Sequence, residues 1–390
     1  MAGLRVIGAA VVCALAAACS TPAAAPVQAP SGASSSPSTG VPFPPLPSAP
    51  LPAPQAAALE KEMTRWVDTG LLSGVTVAVV TQNGSWSGAA GVDGAGTRLV
   101  PEAAMGIASI TKTFVAAEVM RLVEAGKVDL DVAASTYLKH PQTANGVTVR
   151  QLLSMRSGLV DPPDEVYDVL NNHPERHWDT EDALGLYSKP PGEPGGQVRY
   201  QNANYWLLGL LVEKVTGRSL PEVLRTELWA PHGLDRIAYQ DQESIAPPLG
   251  QPGPDDLLLP KDLPPGDLLP FRSIASFAGP AGGVASDAPT IARWGYLLYG
   301  GQVLGEAATR EMRESPRENG YGLGTWQVDD GRWGVEVVGH LGELPGYRTV
   351  LAVLPEHRVS IVVFTTGSAL VTPYASLLAR ASGLLPGRSP

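Results

Sequence analysis

Strand-forming runs at the two ends of the chain constrain the fold more than any other feature. Residues 74–81 are a β-branched run, and Asn83-Gly84 follows it as a hairpin turn would. Four further runs lie at residues 321–328, 334–341, 347–354 and 359–366, with short turn sequences between them. The middle, residues 131–286, shows helical patterns broken by Pro and Gly. We therefore predict an α/β fold, an antiparallel sheet flanked by helices from residues 55–130 and 287–390, with a helical subdomain inserted at 131–286.

The segment before residue 55 has a different composition. Residues 20–54 are rich in Pro, Ala and Ser and carry no charge, so we predict a disordered linker over residues 19–54. Residues 1–18 combine Arg5 with an apolar stretch that is short for a bilayer span and ends in small residues. This pattern is typical of an export signal.

Two interpretations of this export signal differ in the role of Cys19. The stretch that it ends resembles a bacterial lipoprotein signal, in which Cys19 would carry the lipid and hold the protein at the outer face of the cytoplasmic membrane. The alternative is an ordinary Ala-x-Ala cleavage followed by secretion. Both cysteines precede residue 20, so the folded part can form neither disulfides nor thiolate metal sites.

The net charge of the chain limits the classes of partner that it can bind. A formal net charge of -10 without a Lys/Arg-rich run argues against nucleic acid, because binding phosphates requires clustered positive charge. The histidines show no metal-ligand spacing. We expect a monomer that needs no metal or cofactor.

The first candidate for chemistry is Ser109-x-x-Lys112, at the start of a buried helix that ends near Gly126. On a helix these two side chains share a face, close enough for an amine to contact a hydroxyl. A serine needs a neighbouring base to become nucleophilic, and a lysine can be that base if burial depresses its pKa. The alternative is a helix N-cap beside an incidental surface lysine.

Two more motifs follow along the chain. In Tyr200-Gln-Asn202, a phenol could transfer protons and an amide could hold both a lysine and a substrate carbonyl. The alternatives are a core tyrosine and a helix-capping asparagine. In His340-Leu-Gly342, at the end of a predicted strand, the glycine would let a substrate backbone approach closely. A lone strand histidine is more often structural.

The three motifs in this order resemble the serine hydrolases of the class C β-lactamase and penicillin-binding-protein superfamily. Further similar stretches connect them, at residues 147–159, 191–192, 205–209 and 282–286. The resemblance implies that Ser109 is acylated, that Lys112 activates it and that Tyr200 assists proton transfer.

The resemblance also implies how the substrate is held. Asn202 would position the lysine and the substrate carbonyl, and His340 would stand where relatives place a cation. The backbone N–H groups of Ser109 and Glu343 would form the oxyanion hole.

One residue departs from that pattern. Leu341 stands where relatives that act on β-lactams usually have a hydroxyl that helps to bind a carboxylate. We therefore predict a serine hydrolase of the β-lactamase-related type, either an esterase or similar to D-amino-acid peptidases and amidases. Its substrate would be a small-molecule or cell-wall-derived ester or amide without that carboxylate. The alternative is a catalytically silent cell-envelope binding protein that retains the fold.

Overall fold

In the computed structural model of the protein, residues 42–160, 165–187, 189–240, 272–314, 320–328 and 331–385 are described. The predicted export signal, Cys19 and residues 19–41 of the predicted linker lie outside these ranges. The strands are β1 (Gly74–Thr81), β2 (Gly84–Gly91), β3 (Met105–Gly106), β4 (Ile237–Tyr239), β5 (Val284–Ser286), β6 (Trp326–Gln327), β7 (Val338–Leu344), β8 (Tyr347–Leu354) and β9 (Val359–Thr365).

The α-helices alternate with these strands at the ends of the chain and dominate its middle. They are α1 (Ala53–Asp68), α2 (Thr111–Glu124), α3 (Val149–Leu153), α4 (Glu165–Asn172), α5 (Thr180–Gly185), α6 (Ala203–Thr216), α7 (Leu220–Val223), α8 (Arg272–Gly282), α9 (Ala288–Tyr299), α10 (Glu306–Arg313) and α11 (Thr372–Ala381).

Six strands form one antiparallel sheet in the order β2-β1-β9-β8-β7-β6. The first two strands and the last four therefore meet in one sheet, which confirms the predicted fold class. The central strands β1, β8 and β9 are buried along their whole length, because helices cover both faces of the sheet.

Alternate residues of the strands point to opposite faces of the sheet, and each face belongs to its own apolar cluster. On the outer face, Val75, Val77 and Val79 of β1 pack with α1 and α11. Helix α1 presents Leu59 and Met63, four residues apart, to this face. On the inner face, the sheet packs against α9, and the apolar cluster continues from there to α2 and α6. Helix α2, which begins shortly after Ser109, contributes to this inner cluster.

A second, small sheet was not predicted. Strands β4 and β5, both within residues 131–286, pair with each other, and β5 also pairs with β3, in the order β3-β5-β4. These strands are only two or three residues long, which is too short for a recognisable alternation in the sequence. The otherwise helical middle is thus joined to the segment that precedes α2.

The predicted linker extends too far toward the domain. Phe43 is buried against Tyr296, with ring centroids 5.0 Å apart, and its backbone N–H donates to the Gly300 carbonyl at 2.9 Å. Leu51 is also buried, and α1 begins at Ala53. These two apolar side chains anchor the Pro-rich segment of residues 42–52, which we call the strap. The folded part therefore begins by residue 42 rather than at 55.

Smaller differences concern turns and strand ends. The turn between β1 and β2 is Gln82-Asn83, because Gly84 already pairs with Thr81. The glycine is needed for a close approach instead: a Cβ there would lie 2.4 Å from the Pro50 carbonyl oxygen. Strand β6 covers two residues of the eight predicted at 321–328. Within the described ranges, no helix has the length and apolar character that a membrane span requires.

Candidate active site

The segment that carries Ser109 is fixed between the two sheets. After β3, the Ile107 N–H donates to the Val284 carbonyl at 2.9 Å, and the Val284 N–H donates to Thr111 Oγ1 at 3.2 Å. A 3₁₀ turn, Ala108–Ile110, then leads into α2. Ser109 is half-buried, whereas its two neighbours in this turn are buried. The hydroxyl therefore lies at the N-terminus of a helix, where the backbone N–H groups favour negative charge.

Ala108, directly before Ser109, has a left-handed backbone with φ of 49°. A non-glycine residue pays on the order of 1 kcal/mol for this conformation. Residues held in this way cluster at functional sites, where the surrounding structure imposes the geometry. The strain here falls on the residue that sets the direction in which the chain presents Ser109.

Lys112 is fully buried, and its ammonium nitrogen has three oxygen neighbours. Nζ lies 2.9 Å from Ser109 Oγ, 2.9 Å from Asn202 Oδ1 and 2.7 Å from the Ala281 carbonyl oxygen. The predicted pairing of Ser109 with Lys112 is therefore present at hydrogen-bonding distance. The surface-lysine alternative is excluded by the burial of the side chain.

The three oxygen atoms differ in what they can do. Asn202 Oδ1 and the Ala281 carbonyl can only accept hydrogen bonds, whereas Ser109 Oγ can accept or donate. A neutral lysine would give its two N–H bonds to the two fixed acceptors, which leaves its lone pair facing the serine hydroxyl. The arrangement is thus suited to moving a proton between Ser109 and Lys112.

The Tyr200-Gln-Asn202 motif lies beside the same amine. Asn202 precedes α6, but its side chain makes no capping bond and points to Lys112 instead. The ring of half-buried Tyr200 has its centroid 4.9 Å from Lys112 Nζ. The capping alternative for Asn202 is therefore wrong, and the motif brings a phenol and an amide to the Ser109–Lys112 pair.

His340, which stands where relatives place a cation, is not itself a cation in this structure. His340 is completely buried, and burial lowers its pKa to about 3, with the nearby charge of Lys112 lowering it further. Its Nδ1 lies 2.6 Å from the Leu341 carbonyl and its Nε2 lies 3.1 Å from the Tyr321 hydroxyl. Since a carbonyl only accepts, Nδ1 carries the proton and the Tyr321 hydroxyl donates to Nε2. His340 is a neutral structural partner in the wall of the site.

This wall is a cluster of four aromatic rings, each within contact distance of the other three. The six centroid separations run from 5.5 Å to 6.1 Å among Tyr200, Tyr321, Trp326 and His340. Tyr321 is buried, whereas Trp326 and Tyr200 are half-buried and form the accessible part. The cluster fixes the Tyr200 ring beside the lysine and offers a flat apolar surface next to it.

The structure requires a glycine at position 342 for a reason other than the one predicted. A Cβ at this position would lie 2.1 Å from Thr349 Oγ1 and 2.3 Å from the Ile107 carbonyl oxygen. The glycine therefore lets β7 approach the segment before Ser109, and not a substrate backbone. This contact sets the distance between β7 and the nucleophile candidate.

The backbone N–H of Glu343, which the resemblance assigns to the oxyanion hole, is directed away from β8. Leu344 and Tyr347 close the two-residue turn between β7 and β8, so they form a hydrogen-bonded pair. The next pair, Glu343 with Arg348, is then a non-hydrogen-bonded one, and the Glu343 N–H points away from β8. Strand β7 also lies against the Ala108–Ile110 turn, with its closest approach at Gly342.

Among the described residues, no group of three His, Cys, Asp or Glu side chains is arranged to hold a metal ion. Together, a serine, an amine, a phenol and an amide meet at the start of α2, beside a strand with an open N–H. The family model named Beta-lactamase matches residues 57–381. The chain belongs to the β-lactamase family.

Several relatives of this β-lactamase-family chain are curated proteins. An Aspergillus campestris protein named Unguisins hydrolase is 24% identical over 338 residues, which cover 80% of this chain and 61% of that protein. Penicillin-binding protein 4 of Amycolatopsis lactamdurans is 28% identical over 327 residues, covering 75% of this chain and 80% of the relative. The chain thus spans less than two thirds of the first of these proteins.

Solved structures share the fold. A D-amino acid amidase from Ochrobactrum anthropi has a TM-score of 0.71 at 23% identity, covering 84% of this chain and 98% of the amidase. A D-stereospecific amidohydrolase from Streptomyces has a TM-score of 0.68 at 26% identity, covering 83% and 98%. These findings establish a β-lactamase-family serine hydrolase with the β-lactamase/transpeptidase-like fold.

Three contributors to the site in this β-lactamase-family chain were missed from the sequence. The Ala281 carbonyl is available to Lys112 because α8 breaks at Gly279, which has φ of 41° and is followed by Pro280. The Gly-Pro dipeptide is the signal that could have indicated this break. The rings of Tyr321 and Trp326 belong to a predicted strand, but no local pattern shows that they face His340.

Proposed function

We propose that this chain cleaves an ester or amide through an acyl-enzyme on Ser109. The observation that carries the proposal is the position of Lys112 Nζ, 2.9 Å from Ser109 Oγ, with two further acceptors that orient it. Lys112 accepts the hydroxyl proton as Oγ attacks the substrate carbonyl, and a C–O bond forms. The oxyanion is stabilised by the N–H groups of Ser109 and Glu343.

The proton taken from Ser109 is then passed to the leaving group, and hydrolysis of the acyl-enzyme follows. Tyr200 and Lys112 pass it to the leaving alcohol or amine as the scissile bond breaks, which leaves Ser109 acylated. A water molecule then attacks the acyl carbon, the same groups take its proton, and the Ser109 hydroxyl is regenerated. Asn202 keeps the lysine in place throughout.

We infer that the substrate lacks the carboxylate that β-lactams carry. Leu341 has no hydroxyl, and its side chain packs with the outer apolar cluster of the sheet. His340 is neutral and buried, so it offers no cation in exchange. The names of the relatives above, a D-amino acid amidase and a D-stereospecific amidohydrolase, support small amides as the class to test first.

The experiment is to treat the purified protein with a fluorophosphonate probe, p-nitrophenyl esters and D-amino acid amides. We expect labelling and ester turnover that Ser109→Ala abolishes and Ser87→Ala, a change on β2, leaves intact. We also expect ester hydrolysis to exceed nitrocefin hydrolysis by orders of magnitude. A wild type that is neither labelled nor active would favour the alternative, a binding protein that retains the fold.

The assembly and location are proposed on separate grounds. We propose a monomer, which light scattering of the purified protein tests; one of the similar structures is described as octameric. We propose export, with lipidation of Cys19, from the pattern of residues 1–18. A palmitate-labelled band that is lost in Cys19→Ala would support the anchor, and full release into the medium would contradict it.

A further inference from the structure

The Glu343 side chain has no part in the mechanism above, although its backbone does. Side chains alternate along β7, and Gly342 faces the Ile107–Ala108 segment, so Glu343 lies on the other face of the strand, together with Leu341 and with Arg348, the cross-strand neighbour of Glu343. Its side chain is 73% exposed. Only Cα, Cβ and Cγ separate the carboxyl carbon from the backbone nitrogen that is placed to bind the oxyanion. With this N–H bound to the oxyanion, the carboxylate lies within about 8 Å of the substrate carbonyl oxygen, because at most about 5 Å of side chain and a hydrogen bond of about 3 Å separate them.

Arg348 holds this carboxylate in place. Its Nη2 lies 2.8 Å from Glu343 Oε1, while its Nη1 donates to the carbonyls of Leu344 and Tyr347 at 2.9 Å and 3.0 Å. The arginine side chain is only 9% exposed. The ion pair consequently presents its negative end to solvent and keeps its positive end inside the β7–β8 turn.

Three neighbouring side chains of the site bring no accessible positive charge that would offset the negative charge of Glu343. Lys112 is fully buried, with three oxygen neighbours. His340 is buried and neutral, and Leu341 is apolar. Glu343 therefore presents a charged side chain to solvent at this end of β7.

We propose that Glu343 makes the site select substrates with a cationic group near the scissile bond and disfavour substrates with a carboxylate there. This rests on the proposed acyl-enzyme function of Ser109 and adds the charge class of its substrate. An ammonium near the scissile bond is attracted by the Glu343 carboxylate, whereas a carboxylate there is repelled by it.

The size of the effect follows from Coulomb's law. A unit charge at about 6 to 8 Å, in an effective dielectric of about 40 to 80, changes the rate constant by about 2- to 10-fold. Glu343→Gln removes the negative end and leaves the Arg348 guanidinium without its charged partner. The variant should therefore lose the preference for cations and gain rate with anions.

The test uses two series of substrates that differ only in charge. In the first, thiobutyrate esters carry the charge on the leaving group: butyrylthiocholine, its neutral 3,3-dimethylbutyl isostere and the 2-carboxyethyl analogue. In the second, p-nitrophenyl esters carry it on the acyl group, as trimethylammonio, tert-butyl or carboxylate ends on chains of matched length. Values of kcat/KM are measured for wild type, Glu343→Gln and a matched control, Glu336→Gln, which removes a carboxylate paired with Arg313 at 3.5 Å.

We expect a preference of about 2- to 10-fold for cation over neutral isostere in at least one series. It should vanish or invert in Glu343→Gln, persist in Glu336→Gln and weaken in high salt. Equal rates for cation and isostere in both series, or a preference that Glu343→Gln does not change, overturn the inference while Ser109-dependent turnover keeps the proposed function. Absence of any turnover that depends on Ser109 overturns both.

Discussion

The buried, neutral His340 predicts a specific loss of stability in acid. The folded protein holds the pKa of this imidazole at about 3, mainly through burial, whereas an unfolded chain has a value of about 6.5. The unfolded chain therefore binds the proton more readily. The contribution of His340 to stability is complete above about pH 6.5 and is lost as the pH falls toward 3.

The magnitude at pH 5.0 does not depend on the exact folded value. As long as the folded pKa is below about 4, His340 stays neutral in the folded protein at this pH, while most unfolded chains are protonated there. The linkage relation then gives a loss of about 2 kcal/mol in the free energy of unfolding between pH 7.5 and pH 5.0. His340→Gln has no such proton and cannot contribute this loss.

The assay is urea unfolding at the two pH values, followed by tryptophan fluorescence. Other titrating groups act in wild type and variant alike, so the difference between their pH dependences isolates His340. We expect His340→Gln to lose about 2 kcal/mol less than wild type on acidification. Leu341→Ala, the adjacent non-titrating change, should lose as much as wild type. Equal losses in wild type and His340→Gln would show that the imidazole is protonated or exposed in the folded protein.

Three further results are expected. Asn202→Ala should lower kcat for p-nitrophenyl esters by about 10- to 100-fold with little change in KM, because the buried lysine loses one of its fixed acceptors; an unchanged kcat would show that the amide does not orient it. Gly342→Ala should destabilise the protein by about 1 to 3 kcal/mol or more and reduce ester turnover, since a Cβ would lie 2.1 Å from a neighbouring oxygen. The control is Gly367→Ala, where a Cβ would have nothing within 4 Å. In thermal melts and ester assays this control should leave both stability and turnover unchanged. Phe43→Ala should cost about 3 kcal/mol in urea unfolding because its ring is 7% exposed, and Leu71→Ala, 51% exposed, should cost less than about 0.5; equal effects would contradict the packed strap.

Much of the fold could be predicted because its strands carry their own signal. The run at β1 is β-branched and β8 is apolar from residue 350 to residue 354, which is how strands covered on both faces appear in a sequence. Strands β3, β4 and β5 could not be predicted, since each is too short to show a period. The strap was missed because two buried side chains, Phe43 and Leu51, are outweighed by the proline and alanine around them.

For the site, residue types were predicted better than their environments. The motifs indicated that Ser109, Lys112 and Asn202 belong together, and the structure places them within hydrogen-bonding distance. The charge state of His340 could not be read from the motif, because burial decides it. The reason for Gly342 was also hidden, since it lies in a close contact between segments distant in the chain.

Mass spectrometry of a quenched reaction tests the acyl-enzyme most directly. The protein is mixed with excess p-nitrophenyl ester, quenched in acid within milliseconds and digested with trypsin, and the peptide of residues 99–112 contains Ser109 as its one serine. We predict that this peptide gains the mass of the acyl group, with the fragment ions placing it on Ser109, at a rate that matches the burst of p-nitrophenol. Ester turnover at full rate with this peptide unmodified, or with the acyl group on another residue, would contradict the account.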